Sequence, residues 1–81
     1  MKHARPDYNR IQDPSHIIPE DEPVFLLRGQ DIAAPDTVNW WATLVENLPG
    51  HNHEIADMAR SQAKAMKEWQ KIHGMKVPDL P

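Results

Sequence analysis

Apolar positions recur along this chain in two rhythms. Val24-Phe25-Leu26-Leu27 are contiguous and bounded by Pro23 and Gly29. A short apolar run with such flanks reads as a strand. From Pro35 to Leu48 the steps are three and four, so that Ala34, Val38, Trp41, Ala42, Val45 and Leu48 share one face of a helix. Pro35 suits its first turn, Asp36 complements the dipole there, and Pro49-Gly50 ends it. The same steps return from His53 to His73. There Ile55, Met58, Ala59, Gln62, Ala65, Met66, Trp69 and Ile72 make the expected inner face. Asn52 is the expected N-cap and Gly74 the stop.

Residues 1–22 have no such rhythm. Pro6, Pro14 and Pro19 interrupt any helix, and Asp13-Pro14-Ser15-His16 reads as a turn. Tyr8, Ile11, Ile17 and Ile18 are apolar enough for this arm to lie along a folded body. The lone strand needs a partner for its backbone groups. Its expected partner is the arm around Tyr8 to Ile11, or the same strand of a second chain. The short connection between the helices predicts antiparallel neighbours. The fold expected is therefore α+β, mostly α: an extended arm (1–22), a strand with an antiparallel two-helix hairpin as a single domain (23–74), and a loosely ordered tail (75–81).

Eighty-one residues without a cysteine bound what this fold can do. Small domains usually need a disulfide, a metal or a partner subunit, and here disulfides and zinc–thiolate sites are excluded. Oligomerisation, at least a dimer, is the expected support, through the strand, Trp40 and the overhanging end of the second helix. A formal charge of −3 argues against a duplex nucleic-acid binder. The longest apolar run is too short for a membrane span, and the N-terminus does not read as a secretory signal.

Chemistry is sparse. No nucleophile turn, glycine-rich phosphate loop or dinucleotide fingerprint occurs, so neither an enzyme nor a cofactor is expected. His51-Asn52-His53 has too few neighbours for a metal site, and no metal is expected. Arg60, Lys64, Lys67 and Lys71 fall on the solvated side of the second helix. The best candidate is the polar exit of the strand, Arg28-Gly29-Gln30-Asp31. Arginine offers a planar fork for phosphate or carboxylate. Gln30 can read a base edge, and Asp31 can accept from a ribose hydroxyl or a base N–H. The competing reading is that Asp31 caps a turn and Arg28 pairs with the acidic Glu20-Asp21-Glu22 cluster. Tyr8, Arg10 and Trp40 are the expected complements of the pocket. Trp40 lies about 130° from the centre of the first helix's apolar face, on a second apolar edge with Leu44.

DYNRIQDP, IPEDEPVFLLRGQD, and then AP, V and W on a helix resemble a family of small proteins encoded by tailed bacteriophages. The matching residues include Tyr8, Asn9, Arg10, Ile11, Pro19, Glu22, Pro23, Arg28, Gln30, Asp31, Pro35, Trp41 and Trp69. The resemblance implies an accessory protein in the cytoplasm of an infected bacterial host. By analogy, it implies a homo-oligomeric sponge for a small nucleotide signal of antiviral defence, cyclic nucleotides included. A protein–protein inhibitor of a host defence enzyme, or a small phage structural or interaction module, is the alternative.

Overall fold

The structure is a computed structural model that describes residues 1–11, 13–50 and 52–79. Its elements in chain order are β1 (Lys2–His3), a 3-10 turn (Pro6–Tyr8), β2 (Pro23–Val24), α1 (Ala34–Glu46) and α2 (His53–His73). The protein is small and mostly helical, with a short two-stranded parallel sheet. Two compact units divide it. Met1–Leu27 form one, which also takes in Asp79, and Arg28–Pro78 form the other.

In the N-terminal unit Lys2 pairs with Pro23 and His3 with Val24, both in parallel register. This corrects the expected strand. It is two residues long instead of four, and its partner is the start of the chain, not Tyr8 to Ile11. Proline explains the shortness. Pro23 has no N–H to offer a ladder, and Pro6 turns the chain soon after β1. Phe25 lies beyond the strand and is exposed. Nor is the arm simply extended. The 3-10 turn is followed by a turn closed by the His16 N–H on the Asp13 carbonyl (3.0 Å) and another closed by Glu22 on Pro19 (3.2 Å). His16 carries a positive φ of 51°. The Asp13 carboxylate accepts the Ile18 N–H at 2.8 Å and fixes the chain after that turn.

In the helical unit α1 and α2 pack on each other through small side chains. Ala34, Ala42, Ala56 and Ala63 are fully buried and Ala59 nearly so, and Val38 packs on the Ala42–Ala56–Ala59 cluster. Arg60 reaches Glu46 at the end of α1, and Lys67 lies 3.8 Å from Asp36 at its start. The paired positions thus run in opposite order along the two helices.

The buried faces match those expected only in part: Ala34 and Ala42 on α1 and Ala59 and Met66 on α2 face inward as expected, and the other large residues do not. On α2 the buried residues are Ala56, Ala59, Ala63 and Gln70, with Met66 half-buried. Each is one residue on from Ile55, Met58, Gln62, Ala65 and Trp69, a turn of about 100° around the helix. α1 ends at Glu46, short of the expected Leu48; on it Trp41 is exposed, while Ala34, Pro35 and Ala42 are buried. The reason is distance. Alanine lets two helices approach closely, and the large residues are displaced to the flank.

The helix ends follow the residues at hand. Gly74, at φ 86°, closes α2 with its N–H on the Gln70 carbonyl (2.8 Å). Asn52 sits at the N-cap position, but its side chain donates to the carbonyls of Leu48 (3.1 Å) and Pro49 (3.2 Å) instead of capping α2. The segment after Gly74 is not loose at Lys76. Lys76 bridges Asp31 in parallel, donating its N–H to Gln30 (2.7 Å) and accepting from Ile32 (3.0 Å).

Candidate functional site

The chain between Arg28 and Ala34 links two elements and is held from both sides. From α2, the buried Gln70 side chain donates to the carbonyls of Gly29 (2.8 Å) and Asp31 (3.0 Å). From the C-terminal segment, Lys76 contributes the backbone bridge. Arg28 and Asp31 close a turn, Asp31 N–H to Arg28 carbonyl at 3.0 Å. The Asp31 carboxylate then accepts the Ala33 N–H at 2.8 Å, and the Asp31 carbonyl accepts from Ala34 at 3.0 Å. Asp31 therefore closes the turn that leads into α1, whose N-cap is Ala33.

This geometry divides the expected site. Arg28, Gln30 and Asp31 do lie together in one loop. Asp31 is occupied by the turn, and Gln30 contributes its carbonyl to the Lys76 bridge. Arg28 is exposed, and among the described residues no hydrogen bond or ion pair holds its guanidinium. Gly29 is not there for its conformation: a Cβ added to it would meet Met66 at an ordinary 3.9 Å. Trp40 is 64% exposed on α1. It stands six residues into the helix, roughly 9 Å along the axis from Ala34, so it is not part of the loop.

Tyr8 and Arg10 belong to the N-terminal unit. The Tyr8 ring lies under the Arg5 guanidinium, 4.9 Å from its centroid. Arg5 also donates to Asp7 through Nε (3.1 Å) and Nη2 (2.9 Å). That hydrogen bond holds the Asp7 carboxyl below its ordinary range and raises Arg5. In this unit a cavity of about 220 Å³ is lined by residues that include Asn9, Asp13, His16 and Glu20.

The basic stripe of α2 is partly neutralised. Arg60 pairs with Glu46 and lies 3.6 Å from Asp57, and the hydrogen bond from Arg60 is the main cause that lowers the Glu46 carboxyl. His51 lies outside the described residues. Among the described residues no three histidine or acidic side chains cluster as metal ligands, and no helix is long and apolar enough to cross a membrane.

The sequence reading expected an apolar edge at Leu44 and an overhang at the end of α2, but missed that Ile55, Met58 and Trp41 are exposed with them. Ile55, Met58, Trp69 and Ile72 on α2, with Trp41 and Leu44 on α1 and Leu48 just after it, are all exposed. Trp69 stacks on His73 with centroids 4.5 Å apart. The signal was present as two interleaved heptads on α2, one of large residues and one of small. No protein-family model, curated protein or solved structure matches this chain.

Proposed function

We propose that the protein is a non-enzymatic interaction module whose helical unit docks through its apolar flank. In this reading α1 and α2 form an antiparallel hairpin that assembly completes. The observation that carries it is the inversion of the helices: alanines inside, Ile, Met, Leu and Trp outside. A monomer rarely leaves a contiguous apolar patch of more than a few hundred Å² exposed unless something binds there. The resemblance to small phage proteins supports the cytoplasm of an infected bacterium as the setting.

A second reading keeps a nucleotide ligand at Arg28. It is favoured by one observation, the uncommitted guanidinium beside a loop that Gln70 and Lys76 hold still. A charge-assisted contact of this kind is worth about 1.5–3 kcal/mol, roughly tenfold or more in affinity.

One experiment separates the two. Cross-linking in bacterial cells that express the chain, read by mass, is compared for wild type, Met58→Glu and Arg28→Ala. The docking reading expects adducts to vanish with Met58→Glu and persist with Arg28→Ala. Adducts indifferent to Met58→Glu, together with calorimetric nucleotide binding lost in Arg28→Ala, would move the function to the loop.

A further inference from the structure

We propose that the docking flank is the contact surface for a second copy of this chain, with the two α2 helices antiparallel. The inference rests on the docking reading and names its partner.

The exposed residues form one surface because of helix geometry. Trp41 precedes the buried Ala42 and Leu44 the half-buried Val45. Ile55 likewise precedes Ala56, and Met58 precedes Ala59. The preceding residue is turned by about 100° around a right-handed helix. For two facing helices that run in opposite directions, that turn leads to the same side of the pair. The α1 and α2 stripes are therefore continuous. Seven large side chains, each near half-exposed or more, present on the order of 700 Å² at roughly 100 Å² apiece. A standard stable interface removes about 800 Å² from each partner.

The order of residues along α2 selects a second copy. Its exposed stripe reads Ile55, Met58, Gln62, Ala65, Trp69, Ile72, in steps of three and four. The pattern is large at both ends and small or polar in the middle, whichever way it is read. Laid antiparallel on itself, Ile55 meets the partner's Ile72, Met58 meets the partner's Trp69, and Gln62 meets the partner's Ala65. The two Gln62 amides then flank the two-fold axis, where each can donate to and accept from the other. A single polar residue in such a seam fixes register. Charge agrees with this direction. The first turn of α2 carries Glu54 and its last turn Lys71 and His73. Antiparallel pairing brings acidic and basic ends together, and parallel pairing sets like against like.

The test uses the full chain. Sedimentation equilibrium at micromolar concentration is expected to give twice the 9.3 kDa of one chain. Met58→Glu and Ile72→Glu are expected to weaken that dimer by roughly a hundredfold or more, since each would bury an unpaired carboxylate. Both positions are well exposed in the single chain, at 64% and 79%, so helical circular dichroism should persist. The chain has no cysteine of its own, so spin labels at Lys64→Cys and His73→Cys report direction. Antiparallel pairing expects position 64 to lie nearly level with its equivalent in the second copy and position 73 about 28 Å from its equivalent along the axis, from 1.5 Å per residue. A monomer across the concentration range, a dimer indifferent to both glutamates, or a short distance at position 73 would each overturn the proposal. A monomer whose cellular adducts still vanish with Met58→Glu would overturn self-association alone and leave the docking reading standing.

Discussion

The Gln70 side chain donates to the main-chain carbonyl of Gly29 at 2.8 Å, across forty-one residues of sequence. With its second bond to Asp31 at 3.0 Å, it ties the loop before α1 to the last turns of α2. Gln70→Leu keeps the volume and removes both bonds; the Asp31 carbonyl retains the Ala34 N–H, and the Gly29 carbonyl loses its side-chain donor. The expected cost is about 1–3 kcal/mol in urea unfolding. Amide exchange should quicken first at Ile32 and Lys76, whose bridge lies beside this loop.

The alanine contact predicts an asymmetry between neighbouring positions. Ala63 is fully buried, whereas Ala65 is exposed. Ala63→Leu should overpack the helix pair and destabilise it by about 1–3 kcal/mol. Where the chain is dilute enough to be monomeric, Ala65→Leu should cost nothing in the thermal melt. Equal effects at the two positions would mean that the helices meet on a different face.

Arg60 lowers the Glu46 carboxyl below its ordinary 4.5. A depressed carboxyl stabilises the fold fully above the unfolded value and less as pH falls through the folded one, because the unfolded chain then binds more protons. Stability should accordingly decline as pH drops below 4.5. Glu46→Gln should flatten that part of the profile, measured by urea midpoints against pH. The pair is solvent-screened, so added salt should shrink the difference.

His3 offers a test in the N-terminal unit. Both of its ring nitrogens are buried, and among the described residues neither has a partner. His3→Phe keeps a flat ring and removes the unmet polar atoms. Stability should rise by about 1 kcal/mol, read as slower proteolysis around β1 and β2.

Helix bounds were legible in the sequence where a residue acts locally. α2 runs from His53 to His73 as its periodicity and Gly74 require. The role of Asp31 in the turn before α1 was readable as the turn-capping alternative. Which face α2 buries was not legible from periodicity, because two heptads one residue apart fit equally well. Ranking by size favours Ile55 and Met58, whereas close approach favours Ala56 and Ala63. The Lys76 bridge was hidden for another reason. Backbone groups make it, and no side chain announces it.

The alanine contact also governs the response to temperature. The heat-capacity change of unfolding grows with the apolar area exposed, and methyl groups contribute little. A helix pair held by alanines therefore has a shallow stability curve. Warming and cooling change its free energy gently, and its melting transition is broad. Covering the outer flank adds apolar area, deepens the curvature and sharpens the melt.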